Sequence, residues 1–258
     1  MKKIIKAIIK IIFASLIFLS VIFGVYIKEG YDMYKIAISK NPIPMMIKEI
    51  EQKDNYTKID DVPKIYIDAV IAAEDHRFYE HKGVDVLSII RAILTNIKNT
   101  ELIEGGSTIS QQICKNVYFT QERKLERKFA EIFAAIELEK YCNKDKILEL
   151  YFNTSFYGNG YYTLSEASRG YFNKEAIELT PYEATMIAGI PNAPSIYNPV
   201  NSLKLAKQRQ NQVLIAMVTH GYINKEEKEK ILNENIDLSK FEKGRTVVRL
   251  SKLHGLSF

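Results

Sequence analysis

From Ile11 to Ile27 the chain carries no charge and is apolar almost throughout, and with Ile8 and Ile9 counted across Lys10 the run just reaches bilayer-spanning length. Lys2, Lys3, Lys6 and Lys10 precede it and Lys28 closes it. The pattern predicts one transmembrane helix, and the positive-inside bias puts the N-terminus in the cytoplasm and everything after Lys28 outside. Phe23-Gly24-Val25-Tyr26-Ile27 offers no small-x-small cleavage site, so a retained anchor is expected over a cleaved signal peptide. Lys28 to Met46 mixes polar residues with Tyr, Ile and Met, and Pro42 and Pro44 break any continuous helix between anchor and domain. Residues 1–28 therefore read as cytoplasmic N-terminus and anchor, and 29–60 as a juxtamembrane connector.

Beyond Pro63 helical periodicity takes over. Ile65, Ala69 and Ala72, then Leu87, Ile90 and Leu94, fall at helical spacing, and alternating strand patterns are scarce, so the fold is expected to be mainly α. Leu125, Phe129, Ile132, Phe133 and Ile136 mark an apolar helix face, with Arg123, Arg127 and Glu131 roughly opposite, which predicts a charged row turned away from the core. Shorter helices are predicted over Lys146 to Phe152 and over Tyr182 to Ile190, the latter opened by Thr180 and Pro181. Another runs from Ser202 to His220, and Asn224 with Glu227 signals a capped last helix through about Leu232. The domain so outlined covers 61–235, and the signal fades into a basic tail, 236–258.

Composition adds little to this picture. In 258 residues, 47% hydrophobic and 26% charged, there is room for one globular domain, and the net charge of +5 is spread among nearly as many acids, which favours anionic ligands only weakly and gives no sign of nucleic-acid binding. Cys114 and Cys142 form neither a disulfide framework nor a metal-site spacing and read as small core residues.

Three segments concentrate chemistry. Glu74 to Gly83 sets two adjacent carboxylates, Glu74 and Asp75, where a helix runs out into a loop, with Phe78 and His81 following. Such groups are as a rule solvated or capping, but loops after helices also carry catalytic acids and bases. Gly105 to Asn116 opens on two glycines and then offers Ser107, Thr108, Gln111, Gln112, Lys115 and Asn116, either donors for an anion at a helix N-terminus or a glycine hinge with a Ser/Thr cap. Arg123, Lys124, Arg127, Lys128 and Glu131 form a charged helix face that by itself is a solvated one. A glutamate among cations is also the pairing that a phosphate leaving group and a proton transfer require.

In order, these segments resemble the family 51 glycosyltransferases, the peptidoglycan polymerases found as stand-alone enzymes and as the N-terminal half of class A penicillin-binding proteins. The resemblance spans about Asp61 to Pro199 through five motifs: Glu74 to Gly83, Gly105 to Asn116, Arg127 to Glu131, Lys146 to Asn153 and Ala184 to Pro199. It implies a lysozyme-like fold and an inverting transfer that polymerises lipid II into glycan strands and releases undecaprenyl diphosphate. The family pattern makes Glu74 the base, with Asp75 orienting it, and Asp75, Phe78, His81 and Asn116 are expected among the residues that contact substrate. Lys115, Arg123, Arg127 and Lys128 would meet the diphosphate, Ser107, Thr108, Gln111 and Gln112 would line the cleft, and Glu131 would be the partner carboxylate. Mg2+ or Mn2+ near Glu131 is compatible with that pattern, although the chain shows no dedicated set of metal ligands.

Glu149, Asn153 and the Ser195 to Pro199 turn read more readily as structural supports, Tyr157 to Gly160 matches an aromatic-glycine loop of the family, and Leu94 to Glu104 corresponds to a mobile flap. The implied partners are lipid II, the growing strand, the cytoplasmic membrane and other cell-wall synthesis proteins. Residues after Pro199 are too few for a second catalytic domain, so the chain is expected to be a monofunctional enzyme or the first part of a longer one. Two rivals stay open. A glycan-cleaving enzyme of lysozyme or lytic transglycosylase type also uses two carboxylates but has no diphosphate for the cations to meet. An inactive membrane scaffold would have no need of Glu74 and Glu131.

Overall fold

The computed structural model describes residues 2–99, 105–120, 122, 124–239 and 241. Among them there is no strand, and the chain runs through α1 (Lys2–Lys40), α2 (Ile43–Glu51), α3 (Lys64–Glu74), α4 (Val86–Asn99), α5 (Ile109–Tyr118), α6 (Leu125–Tyr141), α7 (Lys144–Phe152), α8 (Leu164–Phe172), α9 (Pro181–Ala188), α10 (Pro194–Tyr197), α11 (Pro199–Thr219) and α12 (Lys225–Leu232). The predicted mainly helical class is what the chain adopts.

The apolar run forms the first part of α1, whose most apolar window is fully exposed and is long enough to cross a membrane. The helix does not stop at the end of that run. It continues unbroken to Lys40, through much of the stretch read as a connector, and the prolines act only there, Pro42 capping α2 with φ −58°. The reason is tertiary: the distal part of α1 docks on α6. Phe23 meets Phe129 edge-on at 5.1 Å between centroids, and Tyr31 meets Phe133 at 5.3 Å. Gly30 makes the crossing close, since a Cβ there would lie 2.5 Å from Phe129 Cβ and 2.6 Å from the Glu126 carbonyl oxygen.

The expected charged row on α6 is corrected by this packing. Leu125 and Ile136 are exposed, Phe129 and Phe133 serve α1, and the buried face is Ala130, Glu131, Ala134, Ala135 and Leu138. An α6 held between α1 and α5 needs two inward faces, and the alanines let α5 come close. Glu131, expected to point away from the core, is therefore one of its buried groups.

Around this pair α3 packs on α9 and α11, and α7 packs on α5. Tyr66, Val70, Ile113, Leu138, Tyr151, Ile187 and Leu214 all belong to one continuous core. The capping signals act as read: Thr180 with Glu183 opens α9, and Asn224 with Glu227 opens α12. The helix expected from Ser202 begins earlier, at Pro199 under an Asn198 cap, and kinks at Ser202 (φ −156°, ψ 97°). Helix α8, which no sequence pattern announced, is capped by Thr163 and buries Leu164, Ala167, Tyr171 and Phe172. Cys114 and Cys142 are free and buried, as expected of core residues, and burial pushes the Cys142 thiol up to about 11. Part of the expected flap, 100–104, and the tail from 242 onward lie outside the described residues.

Candidate active site

Helix α3 ends at Glu74 and sets its carboxylate between α5 and α11. Gln112 Nε2 of α5 donates to Glu74 Oε2 at 2.8 Å, and Arg209 Nη2 of α11 donates to Glu74 Oε1 at 3.1 Å. Each oxygen is thus held once, from opposite sides. Asp75, the next residue, leaves helical geometry (φ −157°, ψ 67°) and turns the other way. Its Oδ2 accepts the Ile109 backbone N–H at 3.0 Å, and His81 Nε2 lies 3.0 Å from both its oxygens. Two adjacent acids have separate tasks, one held between Gln112 and Arg209 and one tying the start of α5 to the end of α3.

The second motif divides in the same way. Thr108 and Gln111 form a reciprocal capping box at the N-terminus of α5, and Thr108 Oγ1 donates to the Gly83 carbonyl at 2.7 Å. Both are buried, so they build the helix start rather than line a cleft. Phe78 is fully buried beneath Lys144, whose ammonium stands 4.4 Å from the ring centroid. Asn116 Nδ2 donates to the Thr154 carbonyl at 3.1 Å, joining α5 to the end of α7. Of the residues expected to contact substrate, Thr108, Gln111, Phe78, His81, Asp75 and Asn116 are committed to protein partners or to the core. Ser107, Gln112, Lys115, Arg127 and Lys128 stay near the two glutamates. Arg123 lies outside the described residues.

Glu131 carries the cationic half. Its two oxygens are taken by Arg127 Nη1 and by Lys128 Nζ, the latter at 2.9 Å, and Lys128 also reaches Ser107 Oγ at 2.6 Å. Such pairing permits burial of the carboxylate, whose side chain is 2% exposed. Donors are left over. Arg127 Nε is buried without a hydrogen-bond partner among the described residues, and the Lys115 ammonium has none there either. Burial holds Lys115 below the ordinary lysine value, with Glu131 opposing that effect, Lys128 and Arg127 adding to it, and Glu74 opposing it more weakly. Lys115 is thus a lysine whose charge state answers to both glutamates.

A divalent cation does not fit this donor set. Glu131 has both oxygens on cations, and no group of three His, Cys, Asp or Glu residues converges anywhere among the described residues.

The fourth motif holds structure. Glu149 accepts from Tyr56 Oη at 2.6 Å, from the Ile59 N–H at 3.0 Å and from Lys146 Nζ, and Asn153 exchanges two 2.8 Å hydrogen bonds with the backbone of Thr57. These contacts seat the segment before α3 on α7.

Residues 42–218 match the family described as transglycosylase, a span that takes in every group just placed around Glu74 and Glu131. The chain belongs to the transglycosylase family. Transglycosylase relatives include a penicillin-binding protein 1A of Neisseria flavescens, 46% identical over 191 residues, which are 74% of this chain and 24% of that protein. The penicillin-binding protein 1A of Aquifex aeolicus is 41% identical over 192 residues, 74% of this chain and 26% of the relative. A crystal structure of penicillin-binding protein 1A from Haemophilus influenzae, at 30% identity, covers 70% of this chain and 17% of that one, with a TM-score of 0.42. The chain therefore spans about a quarter of the length of the curated relatives it matches. The transglycosylase match also includes Arg209, which the sequence reading passed over. A signal was present. Ala206, Arg209, Gln210, Val213 and Met217 share one helix face, and an arginine on an otherwise inward face calls for a buried partner.

Proposed function

We propose that this transglycosylase-family chain is a membrane-anchored peptidoglycan glycosyltransferase that polymerises lipid II. The acceptor's 4-hydroxyl attacks the anomeric carbon of the lipid-linked strand, the new C–O bond forms as the bond to diphosphate breaks, and undecaprenyl diphosphate leaves with the electron pair. Glu74 takes the hydroxyl proton, its carboxylate being held at one oxygen by Gln112 and at the other by Arg209. Lys115, Arg127 and Lys128 meet the charge that develops on the diphosphate. The observation that carries this reading is the pair of unspent donors, the Lys115 ammonium and Arg127 Nε, beside a buried Glu131 that is already neutralised. A hydrolase would have no anion for them.

Lipid attachment fits the surroundings. A cavity of about 260 Å³ lined by Met33 of α1, Tyr118, Phe119 and Arg127, with the acids Glu122 and Glu126 also on its wall, adjoins both the anchor helix and the cationic cluster. With Lys2, Lys3, Lys6 and Lys10 on the cytoplasmic side, the domain works at the outer face of the membrane, beside other cell-wall synthesis proteins.

The test is incubation of the detergent-solubilised chain with labelled lipid II, with Glu74→Gln alongside. Polymer from the wild type and at least a hundredfold less from the variant is expected, in keeping with the roughly 10²–10⁴-fold worth of a general base. Fragments released from preformed glycan, without polymer from lipid II, would overturn the reading in favour of a glycan-cleaving enzyme.

A further inference from the structure

Glycine at 189 is unexplained by its own backbone. Its φ of −78° and ψ of −18° suit any residue. What forbids a side chain there is Arg209, because an added Cβ would lie 2.9 Å from Arg209 Cγ, near the root of the side chain where little give is available, and 3.3 Å from Val213 Cγ2. Arg209 lies across the glycine and donates from Nε to the Gly189 carbonyl at 3.3 Å. Its guanidinium carbon stands 5.8 Å from the ring centroid of Tyr197. Nη1 reaches Gln212 at 3.3 Å, and Nη2 reaches Glu74 Oε1 at 3.1 Å. The two ion-paired side chains are 14% and 7% exposed. Gly189 and Tyr197 both belong to the fifth motif, for which the reaction above gives no task.

We infer that Arg209 is the positioning residue for Glu74, and that the fifth motif exists in part to seat it: Gly189 clears room for its stem, Tyr197 backs its guanidinium, and the far end fixes the carboxylate at the angle set by Gln112 on the other oxygen. This rests on the reading of Glu74 as the base. Arg209 acts through Glu74, with Nε, Nη1 and Nη2 each donating once to a protein partner. The groups facing Glu74 are Arg209 from α11, Lys115 from α5, the Tyr66 phenol from α3 and the Tyr151 phenol from α7. Without Arg209 the remaining cation among them is Lys115, and the carboxylate loses one of its two tethers.

The experiment measures initial polymerisation rates of the full chain in detergent across lipid II concentration, for wild type, Arg209→Lys, Arg209→Gln and Gly189→Ala, with the melting temperature of each. Arg209→Gln is expected to lower kcat by about 30-fold with KM within about twofold, as for a lost orienting contact. Arg209→Lys keeps a charge and recovers part of kcat, because one ammonium can reach Glu74 but cannot also hold the Gly189 carbonyl. Gly189→Ala displaces the arginine without deleting it and lowers kcat in the same direction as Arg209→Gln, again with KM little changed. Should Arg209→Gln fail to fold, Gly189→Ala and Arg209→Lys decide alone. Equal kcat losses in the lysine and glutamine variants, or kcat unchanged in every folded variant, would assign Arg209 to packing and overturn the inference. A wild type that makes no polymer would sink the glycosyltransferase reading itself, and with it any role for Arg209 in that reaction.

Discussion

The Asp75 carboxylate accepts the backbone N–H of Ile109 at 3.0 Å, so the end of α3 and the start of α5 are joined by one buried side chain, 3% exposed. Through that bond the position of Glu74, one residue before Asp75, is coupled to that of Gln112, three residues after Ile109. The two groups that meet over Glu74 Oε2 are registered by the acid beside it. A carboxylate at a helix N-terminus also gains from the unpaired N–H groups there.

Asp75→Ala should therefore cost about 2 kcal/mol, the sum of a lost N-terminal bond and a buried His81 left without its acceptor. Asp75→Asn should cost less, because its amide oxygen can still accept from Ile109. Thermal or chemical denaturation of the soluble, detergent-held chain measures both. Equal stability of the alanine variant and the wild type would mean that the Ile109 bond does not hold the two helices together.

At the other side of α6, Gly30→Leu should separate anchor and domain. The added side chain meets Phe129 Cβ and the Glu126 carbonyl, and overpacking of this kind costs about 1–3 kcal/mol. Limited proteolysis between the membrane and α2 reads the outcome, with faster cleavage expected in the variant. Unchanged cleavage would show that α1 does not need this close crossing.

Lys115 makes a prediction with two signs. Burial holds its folded value below that of an ordinary lysine, so its charge is lost as pH rises before an ordinary lysine would release a proton. Activity should fall on that alkaline limb, and Lys115→Arg, which stays charged, should move the limb to higher pH. For stability the direction is opposite. A lysine with a lowered folded value destabilises the fold while charged and ceases to do so as pH rises. Lys115→Met should then melt no lower than wild type at neutral pH while losing polymerase activity by about 10²-fold. A variant that melts much lower and keeps its rate would remove Lys115 from the leaving-group site.

Much of the candidate site's layout was legible because its groups are local in sequence. Glu74 with Asp75, and Arg127 with Lys128 and Glu131, lie within one helical turn of each other, so spacing alone brings them together. What sequence could not separate was side-chain assignment within a motif. Thr108 and Gln111 had the right types to line a cleft, yet the first turn of α5 claims them, because its N–H groups have no other partners. Arg209 was missed for the converse reason: 135 positions separate it from Glu74, and only packing of α3 against α11 closes that gap.

The sequence by itself determined the helical class, the apolar anchor helix, the capped starts of α9 and α12, and the grouping of Glu131 with Arg127 and Lys128, because each follows from periodicity or from groups close along the chain. Only the tertiary structure decided which face of α6 is inward, how far α1 continues as a helix, and what holds Glu74. Those depend on contacts between helices. A helix with apolar groups on more than one side has no preferred inward face until its neighbours are in place, and a carboxylate's partners are fixed only when remote helices meet around it.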